Sequence, residues 1–235
     1  MLAPLPDSFV ATRDGLHALA EHVIAPSRYR VDGHISLVAT SGGFGTPTFG
    51  DGERVRVDGV ELVHERPGTS TRVGITTLSA AAQFVGVPLG APVEVYTPVT
   101  PREPDAPLGL DSEAAGVLAA WIDLGDSILG ELCESYATRQ PTAVALWPEH
   151  FDIACQLGDV TDGTRANYGA SPGDALIPEP YLYVGPFEAS RRTGKLAAYS
   201  WGSAITYEQL AAAGDSKGAG IDFFLEGAAL LLGQP

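Results

Sequence analysis

The stretch Arg54–Val63 (RVRVDGVELV) decides the fold class, because it alternates polar and apolar residues on both sides of an Asp-Gly dipeptide. Successive side chains of a strand point to opposite faces, so this alternation predicts two strands with one buried and one solvated face. Asp58 and Gly59 suit the positive φ angles of a tight turn between antiparallel strands. The stretch therefore predicts a β-hairpin whose polar face, with Arg56 and Glu61, lies in water.

Helical patterns surround this hairpin. Apolar residues at helical spacing predict helices over 8–23, 78–85 and 112–137, and Pro26 is expected to end the first of them. Short strand patterns lie between and after these helices, for example at 34–40 and 181–184. This combination predicts an α+β fold, with a mostly antiparallel sheet and helices packed on one face.

The composition changes between residues 87 and 109, where prolines recur every few positions. Prolines at that density remove backbone donors and favour extended structure. We therefore divide the chain into a first α+β repeat (1–86), a Pro-rich connection (87–109) and a second α+β repeat (110–235). The two repeats are expected to form one compact domain.

The two halves also repeat the same order of elements, which indicates an internal duplication. His34–Ala39 parallels His150–Cys155, each run leads to a Gly-Asp pair, and an Ile-Thr pair begins a helix in both halves. Each half has few strands, so the two are expected to join in one antiparallel sheet with a ligand cleft between them. The alternative is chance similarity, because the matching residues are sparse.

Charge and composition limit the partners. The chain of 235 residues has a net charge of −15, which argues against a nucleic-acid or anionic-membrane surface. The first six residues lack the pattern of a signal peptide, and the apolar stretch 221–232 is too short to span a bilayer, so we expect a cytoplasmic protein. Cys133 and Cys155 lack metal-binding spacing and are expected to be free thiols. No pattern sets the oligomeric state.

The stretch 147–185 concentrates the residues suited to chemistry. The candidate catalytic residues are His150, Asp152 and Asp174, and the candidate ligand-binding residues are His34, Glu149, Glu179, Tyr181, Tyr183 and Trp147. On one strand, His150 and Asp152 would share a face. The carboxylate would then orient the imidazole for proton transfer, or the two side chains would begin a divalent metal site.

The function expected from these residues is small-molecule binding in a cleft, with an acid–base or metal site at His150 and Asp152. A non-catalytic structural or protein-interaction module is the alternative, because each of these residue types also serves folding. Whether a reaction is catalysed, and whether a metal is bound, stays open at the level of sequence.

The motif W-P-E-H-F-D at 147–152, together with Gly173-Asp174 and Pro178–Tyr181, resembles a signature of uncharacterised bacterial domain families of unknown function. The resemblance covers the stretch 147–185 only. It implies that this stretch is a structural unit, without implying an activity. In the first half Gly33–Ser36 replaces the acidic version, so a role that needs the two acids of the motif would belong to the second half.

Overall fold

A computed structural model describes residues 2–234 as an α+β fold with two antiparallel five-stranded sheets. The fold class predicted from the sequence is thus confirmed. The chain divides into two compact units. The N-terminal unit comprises Pro4–Asp123 and Leu146–Phe151, and the C-terminal unit comprises Leu124–Ala145 and the chain from Asp152 onward, with Leu2 and Ala3. The segment 87–109, expected to be a connection, lies within the N-terminal unit.

The N-terminal unit begins with a long helical segment. Its parts are α1 (Phe9–Leu19), a π-helical turn (Ala20–Ile24) and α2 (Ala25–Asp32). Pro26 lies in the first turn of α2, so the prediction that it ends the helix is wrong. Proline is tolerated in the first turn of a helix, because the N–H that it lacks has no intrahelical partner there. The carbonyl of His22 accepts a hydrogen bond from the backbone N–H of Gly90 at 3.0 Å, which ties the Pro-rich segment to this helical segment.

The first sheet confirms the predicted hairpin. Its strands follow in sequence order: β1 (Val38–Thr40), β2 (Gly43–Gly45), β3 (Arg54–Asp58), β4 (Glu61–Arg66) and β5 (Thr69–Gly74). Strands β3 and β4 pair antiparallel, with Val57 opposite Leu62, and Gly59 in their turn has a φ of 62°. The sheet precedes α3 (Leu78–Val85), whose first turn is capped by the Thr77 side chain. The helix predicted over 78–85 is therefore confirmed.

The second sheet follows the long helix α4 (Ser112–Ser135), which the apolar pattern predicted. Its strands are β6 (Ala145–Trp147), β7 (Asp152–Leu157), β8 (Ala166–Ser171), β9 (Tyr181–Pro186) and β10 (Ser203–Thr206), again in sequence order. The helices α5 (Tyr207–Ala212) and α6 (Ser216–Leu232) end the described chain. Short 3₁₀ turns occur at Ala137–Arg139, Ala189–Arg191 and Gly194–Leu196.

Helices α4 and α6 lie on the same face of the second sheet. A Cβ atom added to Gly125 of α4 would lie 2.6 Å from Cβ of Ala170, and one added to Gly220 of α6 would lie 2.8 Å from Cδ1 of Leu182. Ala170 of β8 and Leu182 of β9 are directly paired, so their side chains share a face. The two helices approach that face closely because glycine stands at each contact.

The two sheets have the same simple order, which agrees with an internal duplication. They remain two sheets rather than the one joined sheet that we expected, because each repeat supplies five strands. The two histidines that seemed to begin a strand both lie before it: β1 begins at Val38 and β7 at Asp152. Within residues 2–234, no helix combines the length and apolar character needed to cross a membrane.

Candidate functional site

Strands β7, β8 and β9 carry a polar and aromatic cluster on the face opposite to α4 and α6. Side chains alternate along β9, so Tyr181 and Tyr183 point away from the helix-facing Leu182. The pairing places Ser171 of β8 opposite Tyr181, and Gly169 opposite Tyr183. The Tyr–Asp cluster, as we call it, consists of Asp152, Ser171, Asp174, Tyr181, Tyr183, Tyr199 and Trp201.

The centre of the Tyr–Asp cluster is a buried carboxylate. Asp152 is only 6% exposed, and its Oδ2 accepts a hydrogen bond from the Tyr183 hydroxyl. Burial, together with the neighbouring Asp152 carboxylate, raises the pKa of Tyr183 well above its usual value. The phenol therefore stays protonated at neutral pH and remains a donor. Its ring is accommodated by Gly169, where an added Cβ would lie 2.5 Å from Cε1 of Tyr183.

A second tyrosine–carboxylate pair adjoins the first. The Tyr181 hydroxyl donates to Oδ2 of Asp174 at 2.7 Å, and burial followed by this hydrogen bond raises the pKa of Tyr181. The other oxygen of Asp174 accepts hydrogen bonds from the backbone N–H groups of Leu176 at 2.7 Å and Ile177 at 2.8 Å. Asp174 thus holds the loop before β9 and orients Tyr181.

Trp201 joins the aromatic part of the Tyr–Asp cluster. Its ring centroid lies 6.2 Å from that of Tyr181, 6.0 Å from that of Tyr183 in an edge-to-face arrangement, and 4.9 Å from that of Tyr199 in a stacked one. Trp201, Tyr199 and Tyr183 are all partly exposed. The cluster therefore combines partly exposed aromatic residues with one buried carboxylate, that of Asp152.

His150 does not join Asp152 on a strand. It is an exposed residue in the turn 148–151. Phe151 has a φ of 53°, which is uncommon for a bulky residue and changes the chain direction just before β7 begins. The expectation that the two side chains share a strand face is therefore wrong, since the alternation of a strand starts only at Asp152.

The remaining candidate residues have contacts typical of element ends. Exposed His34 has its Nδ1 at 2.9 Å from the carbonyl oxygen of Asp32, at the end of α2. Glu179 accepts the backbone N–H of Glu208 at 2.9 Å, in the first turn of α5. Trp147 is an exposed residue of β6. The structure does not bring these three side chains into the Tyr–Asp cluster.

The N-terminal unit contains a second polar group of residues, most of which sequence reasoning missed. The His17 cluster, as we call it, consists of His17, Glu21, Tyr96, Thr100 and Glu149. Glu21 in the π-helical turn is fully buried and accepts hydrogen bonds from the backbone of Val99 at 3.1 Å and of Thr100 at 2.8 Å, and from the Thr100 hydroxyl. These bonds tie the Pro-rich segment to the helix.

His17 is held by residues of the W-P-E-H-F-D motif. Its Nε2 lies 2.8 Å from the carbonyl oxygen of Pro148 and must donate to it, and its ring stacks on Phe151 with centroids 4.9 Å apart. Burial lowers the pKa of His17, although Glu21 and the Pro148 carbonyl act in the opposite direction. The imidazole is thus neutral at neutral pH. The spacing of His17 and Glu21, one helical turn apart, was the available sequence signal.

Glu149 is the one predicted ligand-binding residue that falls in the His17 cluster. Burial raises the pKa of Tyr96, and the nearby carboxylates of Glu21 and Glu149 raise it further. The cluster is therefore acidic, and its phenol stays protonated. Across residues 2–234, no group of three or more His, Cys, Asp or Glu side chains is placed to hold a metal ion. The metal alternative at His150 and Asp152 thus lacks a ligand set in the described structure.

A small cavity of about 20 Å³ lies elsewhere in the C-terminal unit, beside α6. It is lined by Lys195, Leu196, Ser203, Phe223, Glu226, Gly227 and Leu230. Ligand pockets usually measure roughly 300–1,000 Å³. Lys195 forms an ion pair with Glu226 in its wall, so we assign this pocket no role.

Comparison of the chain with protein-family models, with curated proteins and with solved structures found no match. The resemblance of the stretch 147–185 to bacterial domain families therefore stays a prediction. The geometry and the charge of the Tyr–Asp cluster are the features of this chain that point to a function.

Proposed function

We propose that this chain binds a small organic cation at the Tyr–Asp cluster. The observation that carries the proposal is the buried Asp152 carboxylate, which accepts a hydrogen bond from the Tyr183 hydroxyl within a group of partly exposed aromatic residues. A buried carboxylate is stabilised by hydrogen bonds and by positive charge nearby. A cationic ligand would supply that charge.

The chemistry of the cluster favours a cation over an anion. Both tyrosine hydroxyls donate to carboxylates, so their protons are already used within the cluster. A ligand therefore meets the negative charge of the carboxylates and the negative faces of the aromatic rings. Each such ring contributes about 0.5–2 kcal/mol to binding a cation placed over its face. The net charge of −15 also favours the approach of cations in general.

The same chemistry favours an organic cation over a metal ion. Calcium and magnesium prefer several oxygen ligands arranged around one point. The Tyr–Asp cluster instead combines two carboxylates with the rings of Tyr181, Tyr183, Tyr199 and Trp201. Aromatic rings with a carboxylate suit an alkylated or primary ammonium group, whose hydration is weaker than that of a divalent metal ion. The small-molecule ligand expected from the sequence is thereby narrowed to the organic cations.

Isothermal titration calorimetry with choline as the probe tests this proposal, and 3,3-dimethylbutan-1-ol serves as its neutral analogue of the same shape. We expect choline to bind and the alcohol to bind at least about tenfold more weakly, which corresponds to about 1.4 kcal/mol. Asp152→Asn and Trp201→Leu should each weaken choline binding. Tyr207→Phe, a buried tyrosine outside the cluster, should leave binding unchanged. Equal binding of choline and the alcohol, or binding of neither, would contradict the proposal.

A purely structural role for the Tyr–Asp cluster is the competing proposal. It is favoured by Asp174, whose contacts with the backbone of Leu176 and Ile177 are those of a loop anchor. Under this alternative, Tyr183→Phe lowers stability but no organic ammonium probe stabilises the wild-type protein against heat. Ligand-dependent stabilisation that Tyr183→Phe weakens would favour the binding site.

We place this function in the cytoplasm, as part of the same proposal. Cys133 and Cys155 are both free thiols, and free thiols persist in a reducing compartment. Expression of the chain with a fluorescent tag, followed by fractionation, tests the location. Recovery of the tagged chain from an oxidising extracellular fraction would contradict it.

A further inference from the structure

The C-terminal unit brings the two cysteines of the chain together. Sγ of Cys133 on α4 lies 3.6 Å from Sγ of Cys155 on β7, although the residues are separated by 22 positions. We propose that Cys133 and Cys155 form a redox-reactive thiol pair, which small disulfides oxidise to an internal disulfide that joins α4 to β7. This proposal is independent of the cation site.

The backbone on both sides of the thiol pair is firmly positioned. Two turns before Cys133, Gly125 packs so closely on the sheet that an added Cβ would lie 3.0 Å from Cγ2 of Ile153. Ile153 and Cys155 are two residues apart on β7 and so face the same helix. Cys155 itself pairs with Tyr168 of β8 within the sheet. The proximity of the sulfurs therefore follows from the packing of α4 on β7.

The sulfurs are in contact without being bonded. A disulfide needs a sulfur–sulfur distance of about 2.05 Å, so the two atoms must approach by roughly 1.5 Å. Rotation about the two Cα–Cβ bonds changes the sulfur positions by distances of this size, without movement of the strand. Bond formation thus requires an adjustment of side chains, not a rearrangement of the sheet.

The two thiols differ in access and in acidity. Cys155 is 2% exposed, whereas Cys133 is partly exposed and can meet a reagent from solvent. Hydrogen bonding between the two thiols lowers the pKa of Cys133, against the effect of burial. The same interaction and burial raise the pKa of Cys155. Cys133 is therefore the attacking thiolate, and Cys155 is the thiol that resolves the first product.

The reaction proceeds by two exchanges with a small disulfide such as oxidised glutathione. The Cys133 thiolate attacks one glutathione sulfur, a mixed disulfide forms, and the other glutathione leaves as a thiolate that takes up a proton. Cys155 then loses its proton and attacks Sγ of Cys133, which breaks the mixed disulfide and releases the second glutathione. Two protein thiols are oxidised to one disulfide, and one glutathione disulfide is reduced to two thiols.

Intact-mass spectrometry of the folded chain after incubation with oxidised glutathione tests this proposal. We expect wild-type protein to lose the mass of two hydrogen atoms and to regain it with dithiothreitol. Peptide mapping should show Cys133 linked to Cys155. The oxidised chain should also unfold at a higher temperature than the reduced chain, because the cross-link restricts the unfolded state.

Single substitutions separate the two roles. Cys155→Ser should stop at the mixed disulfide and keep one glutathione on Cys133, whereas Cys133→Ser should react little because Cys155 is buried. Cys155→Ala provides a second variant if serine disturbs the core, and thermal melts show that each variant is folded. A stable mixed disulfide on the wild-type protein, a disulfide-linked dimer, or two unreacted thiols would overturn the proposal.

Discussion

The two sheets share a strand order but place their polar side chains in opposite environments. In the N-terminal sheet, charged pairs bridge neighbouring strands near the surface: Arg56 Nε lies 3.1 Å from Oε1 of Glu65, and Arg72 Nη1 lies 2.9 Å from Oε2 of Glu61. In the C-terminal sheet, tyrosine hydroxyls instead donate hydrogen bonds to carboxylates, one of which is buried.

The difference matters because solvent weakens charged pairs. An exposed ion pair contributes about 0–1 kcal/mol to stability. A hydrogen bond to a charged group contributes about 1.5–3 kcal/mol, and an unsatisfied buried partner adds a further cost when the bond is removed. One sheet order thus supports a solvated face in one unit and a structured polar site in the other.

The largest expected effect is that of Gly169→Ala, set against Gly74→Ala in the other sheet. At Gly169 an added Cβ would lie within 2.7 Å of three atoms of the Tyr183 side chain, whereas at Gly74 it meets nothing within 4 Å. We expect Gly169→Ala to lower the free energy of unfolding by about 2–3 kcal/mol through overpacking and displacement of the ring. Gly74→Ala should change it by about 0.5 kcal/mol or less. Urea denaturation measures both, and equal effects would contradict the difference between the sheets.

Removal of one hydroxyl should have the next largest effect. Tyr183→Phe takes the donor from buried Asp152 and should lower the free energy of unfolding by about 1.5–2 kcal/mol. Tyr207→Phe is the matched control, because the Tyr207 hydroxyl donates to a neutral carbonyl, that of Ala3, at 2.7 Å. Its loss should cost about 1 kcal/mol. A smaller decrease in the free energy of unfolding for Tyr183→Phe than for Tyr207→Phe would show that the buried carboxylate does not strengthen the Tyr183 hydrogen bond.

The C-terminal sheet should also be sensitive to alkali. The pKa values of Tyr181 and Tyr183 are raised above the usual 10.0, so the folded state keeps protons that the unfolded state releases. Their contribution to stability is complete below pH 10 and is lost as the pH rises through the folded-state values. Within that pH range, each tyrosine lowers the free energy of unfolding by up to about 1.4 kcal/mol per pH unit. Denaturation of Tyr183→Phe at several pH values above 10 should show a shallower decline, and an unchanged slope would contradict this cause.

The smallest expected effect belongs to the N-terminal sheet. A double-mutant cycle on Arg72 and Glu61, with Arg72→Gln and Glu61→Gln, should give a coupling energy of at most about 0.5 kcal/mol, because both side chains are largely exposed. High salt should reduce the coupling further. The Tyr183–Asp152 coupling should hardly respond to salt, so a strong salt response there would place that pair in solvent.

Much of the fold was predictable because its signals are local. The hairpin of β3 and β4 follows from the alternation around Asp58-Gly59, and α3 and α4 follow from helical apolar spacing with caps. Pro26 misled the prediction, because it lies in the first turn of α2, where a proline is tolerated, directly after a π-helical turn. The sequence around Pro26 did not indicate that a second helix begins there.

The candidate site was predictable in part. Asp152 and Tyr183 were both predicted as site residues, but on separate grounds, as a proton-transfer partner and as a ligand contact. They are 31 positions apart, and they meet because β8 lies between β7 and β9 in a definite register. His150 was predicted to share a strand with Asp152 and does not, because the positive φ of Phe151 falls between the two residues.

The sequence by itself determined the α+β class, the main hairpin and the residue types from which a site is built. Alternation, helical spacing and turn residues are properties of neighbouring positions, so they can be recognised from the sequence alone. The tertiary structure decided which of those residues meet. Strand register brought Tyr183 to Asp152, helix packing brought Cys133 to Cys155, and a π-helical turn buried Glu21. These contacts depend on the balance of packing and hydrogen bonding over the whole unit, which no short stretch contains.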